Sequence, residues 1–263
     1  MLKTERLTKC FFSGTANELV AVDELSIELG DGKFLTVIGS NGAGKTTFLN
    51  LIAGSLFPSD GRIFLDNQEV TTAPEHIRAK LVGRVFQEPG LGTASSMTVA
   101  QNLVLAYNKG HKGLNIGITR ERKKLLKDEL SQLGLGLENR LNEKVVHLSG
   151  GQRQGLAVLM ATLTMPKVLL LDEHTASLDP KNAKKILDIT ERLVSEKNLT
   201  TIMVTHDMNQ AIDLGDRLVM LHRGSFVCDV NGQKKEKLTV DKLVKLFSER
   251  DIVDDELLLT MRQ

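Results

Sequence analysis

Gly39-Ser40-Asn41-Gly42-Ala43-Gly44-Lys45-Thr46 decides the fold. The stretch fits GxxxxGK[ST] in full, and it sits where that pattern works, between a strand and a helix. Upstream, Phe34-Leu35-Thr36-Val37-Ile38 is a short apolar run rich in strand formers and reads as a buried strand. Downstream, Thr46 to Ala53 reads as a helix that Gly54 stops. Glycines let the backbone wrap a phosphate without Cβ clashes, and free N–H groups at the helix start point at the anion. Lys45 supplies a positive charge to the β- and γ-phosphates of a nucleotide, and the Thr46 hydroxyl is a ligand for Mg²⁺. Gly39, Ser40, Asn41, Gly42, Ala43, Gly44, Lys45, Thr46 and Thr47 are therefore the candidate phosphate-binding set.

Outward from this loop, strands and helices alternate. Residues 1–35 alternate apolar and polar in short runs, with turns at Ser13-Gly14 and Gly30-Asp31-Gly32, which predicts antiparallel strands. Pro58-Ser59-Asp60-Gly61 is a turn, and Arg62 to Leu65 with Glu69-Val70 reads as a small hairpin. Val82 to Phe86, Val168 to Leu171 and Thr201 to Thr205 read as strands. Leu156 to Leu163, Pro180 to Glu196 and Met208 to Leu214 read as helices. This order argues for a mainly parallel core sheet with helices on its faces and an antiparallel β subdomain before it.

Residues from about 88 to 148 differ in texture. Gly90, Gly92, Gly110, Gly113 and Gly117 break the segment, and Val99 to Tyr107 and Arg120 to Leu133 carry helical spacing between the breaks. The expected organisation is one α/β domain over 1–263. Its core is 1–87 with 164–231, a helical subdomain is inserted at 88–163, and a short helical tail follows from 232 to 263. In that tail Leu238, Val240, Leu243, Val244 and Leu246 predict an amphipathic surface helix packed on the domain.

The second chemical site is Val168-Leu169-Leu170-Leu171-Asp172-Glu173, an apolar strand ending in two carboxylates. An acid at such a position is costly unless a cation or donor is near. A nucleotide-bound Mg²⁺ would be that cation, reached by Asp172 directly or through water. Glu173, one position further on, is placed to orient and deprotonate an attacking water. Phosphate loop and acidic strand together describe an Mg²⁺-dependent nucleotide hydrolase.

Composition agrees and excludes other classes. The 263 residues are 41% hydrophobic and 25% charged, an ordinary globular balance. A net charge of +1 gives no bulk electrostatic reason to expect nucleic acid. Cys10 and Cys228 read as free thiols of a reducing cytoplasm. Met1 to Lys9 is too polar for a signal peptide, and no stretch approaches the ~20 apolar residues that span a bilayer. A membrane role would come through a partner.

One further run narrows the reading. Leu148-Ser149-Gly150-Gly151-Gln152 reads LSGGQ and resembles the signature of ATP-binding cassette (ABC) ATPases. Other motifs of that family follow in order. Asp172 resembles the Walker B acid, Gln87 the Q-loop glutamine, Ser177-Leu178-Asp179 the D-loop, and His206 the switch histidine. The resemblance covers residues from about 2 to 230.

It implies ATP as the nucleotide, Mg²⁺ held by Thr46, Asp172 and Gln87, and catalysis by Glu173 with His206 and Gln87. It implies a head-to-tail homodimer in which each ATP lies between one subunit's phosphate loop and the other's Leu148 to Gln152. Asp179 would cross that interface. An aromatic ring before the phosphate loop would stack on adenine, with Phe11 the better match and Phe12 the alternative.

The implied setting is peripheral, on the cytoplasmic face of the inner membrane, bound to integral permease subunits and supplied by a solute-binding protein. The implied task is to energise import of a small solute such as an amino acid. An exporter or lipoprotein-release cassette and a non-transport ABC ATPase are the alternatives. Two departures from the family pattern stand out. Gly155 and Met160 occupy places where arginines are common, and His174 replaces a proline after Walker B. His174 is either a loop substitution or an extra titratable group near the γ-phosphate.

Overall fold

A computed structural model describes residues 1–107 and 119–248; of these, the side chains of 246–248 are not described. The breaks expected at Gly110, Gly113 and Gly117, and the tail beyond 248, lie outside the described residues. So does the side chain of Leu246.

Two sheets form. The first four-stranded sheet has the order β2-β1-β4-β5 and is antiparallel. Its strands are β1 (Leu2–Phe11), β2 (Leu19–Leu29), β4 (Asp60–Leu65) and β5 (Gln68–Glu69). The second sheet has six strands in the order β10-β9-β3-β8-β7-β6. These are β3 (Phe34–Ile38), β6 (Val82–Val85), β7 (Val168–Asp172), β8 (Thr201–Val204), β9 (Arg217–His222) and β10 (Ser225–Asn231). All its pairings are parallel except β9 with β10. The helices are α1 (Lys45–Ala53), α2 (Glu75–Arg78), α3 (Val99–Tyr107), α4 (Arg120–Ser131), α5 (Gly150–Thr162), α6 (Pro180–Glu196), α7 (Met208–Asp213), α8 (Gly232–Glu236) and α9 (Val240–Ser248).

The period of two along each parallel strand divides the core. Leu35 and Val37, Val168 and Leu170, and Ile202 and Val204 face one cluster, which also holds Leu2, Leu7, Ile27, Ile63 and Leu65 of the antiparallel sheet. Helix α1 is in that cluster too, through Phe48, Leu49, Leu51 and Ile52, each fully buried. The helix that follows the phosphate loop thus buries its apolar residues in the cluster both sheets share. Each such side chain contributes about 1.5–3 kcal/mol by leaving water. On the opposite face Leu169, Leu171 and Met203 join α3, α4, α5 and α6 through Leu103, Leu130, Leu156, Leu159, Ile186 and Leu193.

The strands and helices expected from pattern form, with ends displaced by a residue or two, except that α5 begins at Gly150, six residues before the expected Leu156. The expected hairpin also gains a partner, because β4 pairs with β1 over Leu2–Thr8. Strands β9 and β10 were not anticipated; they extend the parallel sheet past β3. In the tail, Leu243 is buried against Met208, Ala211 and Met220, with Leu238, Val240 and Val244 partly covered beside it.

Arg78, on the short helix α2, is fully buried and has no carboxylate partner among the described residues. Its guanidinium instead donates to backbone carbonyls: Nη1 to Leu51 (2.5 Å) and Ile52 (3.2 Å), Nε to Ala73 (2.8 Å) and Nη2 to Thr71 (2.8 Å). Leu51 and Ile52 lie in the last turn of α1, whose carbonyls have no partner within the helix. A cation there satisfies them and meets the negative end of the helix dipole. Burial lowers the Arg78 pKa to about 10, which leaves it charged at neutral pH. Arg78→Leu therefore strands several buried carbonyls and lowers unfolding free energy by about 2–4 kcal/mol, measured by urea titration. Arg78→Lys keeps the charge but reaches fewer carbonyls and recovers only part of that loss.

Candidate functional site

The phosphate loop leaves the C-terminal end of β3 and is pinched between two strands. A Cβ on Gly39 would lie 2.3 Å from the Leu221 carbonyl oxygen at the end of β9. Gly44 has φ 103°, and a Cβ there would lie 2.2 Å from the carbonyl of Ala21 in β2. Only glycine fits either place. Ala43 is buried, with its carbonyl accepting from Gly224 N at 3.0 Å. Asn41, Gly42 and Thr46 are exposed at the mouth, and Ser40 and Thr47 are half-buried. Lys45 lies back along the loop, its Nζ donating to Gly39 O at 2.7 Å and Ser40 O at 3.0 Å.

Strand β7 ends next to this loop's side of the sheet. Asp172 is buried, and its Oδ2 accepts from Arg84 Nη2 at 3.0 Å. Glu173 follows with φ 44°, a left-handed conformation that a non-glycine residue adopts only when its surroundings hold it there. Its N–H donates to Val204 O at 3.0 Å, which ties the turn to β8. His206 stands just past β8, its Nδ1 3.5 Å from Glu173 Oε2.

The hydrogen bond from His206 holds the Glu173 carboxyl below its ordinary pKa. Burial opposes this, and the charges of His206 and Lys45 add to it. The same bond raises His206, against burial, with help from Glu173 and Asp207 and opposition from Lys45. The structure therefore gathers Lys45, Glu173 and His206 into one electrostatic group. Gln87 is exposed after β6, and its carbonyl accepts from Ser177 Oγ at 3.3 Å, so the Q-loop and D-loop segments touch.

Leu148 to Gln152 lies elsewhere, at the start of α5, which packs on α3, α4, α6 and β6. Ser149 is the N-cap in a reciprocal capping box: its Oγ accepts from Gln152 N (3.3 Å) while Gln152 Oε1 accepts from Ser149 N (3.2 Å). The helix begins at Gly150 despite two glycines because this box fixes the first turn. Leu148 is buried, and Ser149 and Gly150 are exposed. A Cβ on Gly151 would meet Asn182 Cγ of α6 at 3.3 Å. Asp179 caps α6, accepting from Asn182 N (3.1 Å) and Nδ2 (2.6 Å); those bonds lower its pKa.

Phe11 ends β1 half-buried, with Lys9 Nζ 5.3 Å from its ring centre. Phe12 is 69% exposed. His174 is buried and bonds Thr190 Oγ1 through Nε2 at 3.2 Å. Thr190 donates its own proton to Ile186 O at 2.8 Å, so His174 Nε2 carries the hydrogen. Burial lowers its pKa to about 4, which makes it a neutral packing residue tied to α6. Gly155 also has a reason: a Cβ there would fall 2.3 Å from Leu135 Cδ1, so Leu135 fills the space an arginine would need.

Residues 22–176 match the family model described as ABC transporter. The chain belongs to the ABC transporter family. It is 47% identical over 248 residues to the tyrosine transport ATP-binding protein of Clostridioides difficile (strain R20291), covering 94% of this chain and 98% of that one. It is 34% identical to an energy-coupling factor transporter ATP-binding protein of Clostridium tetani (strain Massachusetts / E88), covering 87% and 78%. Among solved structures, a dimeric ATP-binding cassette in a post-hydrolysis state with ADP and Pi aligns with TM-score 0.75 and 29% identity, covering 88% and 98%. A cassette of Clostridium perfringens that is part of an ABC transporter complex aligns with TM-score 0.75 and 26% identity, covering 95% and 94%. The chain is thus an ATP-binding, ATP-hydrolysing subunit of an ABC transporter. Among the described residues no helix is long and apolar enough to cross a membrane.

The sequence passed over Arg84, Asn50, Arg78 and Gln154. Gln154 is fully buried on α5, and its Nε2 donates to Phe86 O at 3.2 Å, one residue before Gln87. Arg84 had a visible signal, a cation inside an apolar strand.

The Glu173–His206 pair has a defined pH window. It is whole between about pH 4.5 and 6.5, the ordinary values of the two groups. It is lost as pH rises through the raised His206 value, and as pH falls through the lowered Glu173 value. In nucleotide-free protein, Glu173→Gln moves the His206 pKa back toward 6.5, read by NMR titration of its imidazole. An unchanged titration would remove the pair.

Proposed function

We propose that this subunit energises import of an amino acid, with tyrosine or a close aromatic relative as the solute. What carries the reading is the 47% identity to a tyrosine transport ATP-binding protein across nearly the whole of both chains. The subunit works as a homodimer on the cytoplasmic face of the membrane, bound to permease subunits that receive solute from a binding protein. Dimeric and transporter-complex relatives support this arrangement.

The residues then take these roles. Phe11 stacks on adenine, its half-buried ring being better fixed than that of Phe12. The loop Gly39 to Thr47 cradles the phosphates, and the Lys45 ammonium turns from the loop carbonyls to the β- and γ-phosphates. Glu173 accepts a proton from the attacking water. The His206 hydrogen bond holds its carboxyl below the ordinary value, so it is ionised at neutral pH. His206, held beside it, donates to the γ-phosphate, and Gln87 orients the water. Leu148 to Gln152 of the partner subunit closes the site. Ser149 Oγ accepts within its own helix, which leaves its proton for that phosphate. Asp179 lies at the same interface.

Among the described residues no group of three His, Cys, Asp or Glu could hold a metal. That suits Mg²⁺, which keeps several waters and leans on phosphate oxygens with one or two protein donors. The Thr46 hydroxyl, the Asp172 carboxylate and the Gln87 amide are all hard oxygen donors and would hold it. When bound, it neutralises charge that develops on the phosphates.

Two measurements test the reading. Glu173→Gln lowers ATP turnover by about 100-fold or more while nucleotide binding persists; full turnover would sink the base assignment. Disrupting the gene abolishes uptake of labelled tyrosine in the native organism and spares unrelated solutes. Unchanged uptake of every aromatic amino acid would sink the substrate class.

A further inference from the structure

Arg84 lies in β6, three residues before Gln87, and its side chain is only 12% exposed. Its guanidinium bridges two elements of the site. Nη2 donates to Asp172 Oδ2 at 3.0 Å, and Nη1 donates to Asn50 Oδ1 on α1 at 2.6 Å. The guanidinium carbon stands 4.6 Å from the centre of the Phe86 ring, which fixes its plane. Its Nε is buried without a hydrogen-bond partner among the described residues. A buried guanidinium kept with one donor unsatisfied is weak design for stability alone.

We propose that Arg84 is a positioning residue and built-in counter-ion for Asp172, holding its carboxylate aimed until a divalent cation arrives beside it. This rests on the reading of Asp172 as the metal-side acid. The geometry gives the device its form. Oδ2 is occupied by Arg84, so Oδ1 is the oxygen presented to metal or metal-bound water. Because Nη1 holds Asn50, the carboxylate is aligned to α1, the helix that starts at Lys45. A metal-free protein therefore carries no uncompensated charge at Asp172. Without Arg84, that charge is balanced only when the metal is bound, and folding becomes linked to metal.

The test compares melting temperatures without ligand, with a non-hydrolysable ATP analogue in EDTA, and with the same analogue plus Mg²⁺. Arg84→Met lowers the ligand-free melting temperature by about 6–10 °C, the consequence of breaking a buried ion pair. Mg²⁺ on top of the analogue then restores more than it adds to the wild type, shrinking the loss to less than about half. Arg84→Lys keeps the charge but cannot hold Asp172 and Asn50 together. It gives a smaller loss and a smaller enlargement of the Mg²⁺ increment than Arg84→Met, and it serves if Arg84→Met does not fold.

Equal losses with and without Mg²⁺, in whichever variant folds, overturn the proposal and leave Arg84 as packing. Asp172→Asn separates this from the underlying reading. If that variant keeps the full Mg²⁺ increment, Asp172 is not the metal-side acid and both ideas fall. If it loses the increment while the Arg84 variants lose stability equally, only the Arg84 proposal falls.

Discussion

Burial of α1 between two sheets is the constraint on which the rest of this cassette depends. A phosphate loop works only if the N–H groups at its helix start stay fixed, and that helix is short. Phe48, Leu49, Leu51 and Ile52 pack it against both sheets at once. Its exit is held by the buried Arg78 guanidinium. Its entrance is squeezed by the carbonyls of Ala21 and Leu221 against Gly44 and Gly39. The antiparallel sheet, which carries no acid or base of the site, is thus the second wall of the phosphate-binding helix.

From this fixed piece the charged residues are placed by strand order. Strand β3 is flanked by β8 and β9, and β7 lies beyond β8. The parallel register aligns Asp172 with Val204, so Glu173 and His206 emerge from neighbouring strand ends. Their separation of 3.5 Å follows from that register plus the left-handed turn at Glu173. The signature is built on different elements, the helical face of the sheet. In the proposed homodimer it reaches a phosphate loop only through the other copy.

Much of this was legible before the structure. The strand–loop–helix at 34–53 and the apolar strand ending at Asp172 are strong patterns, since each joins a periodicity to residues with one physical use. Strands β9 and β10 were missed because Leu218 to Leu221 is a short apolar run that fits strand or helix equally, and edge strand β10 lacks clean alternation. Arg84 and Asn50 were missed for another reason. Arg84 stands out as a cation inside an apolar strand, but its contact with Asn50 joins residues 34 positions apart, which no local pattern records. The substitutions at Gly155 and His174 were visible as departures but not interpretable. Leu135 and Thr190, which explain them, are remote in sequence.

The backbone at Glu173 has an evolutionary consequence. Its φ of 44° is a conformation that glycine adopts freely and glutamate does not. A glycine there would relax the turn by about 1 kcal/mol and remove the carboxylate proposed to activate water. At this one position, selection for a sturdier fold and selection for turnover pull in opposite directions. A lineage freed from the need to hydrolyse ATP would be expected to drift first at residue 173.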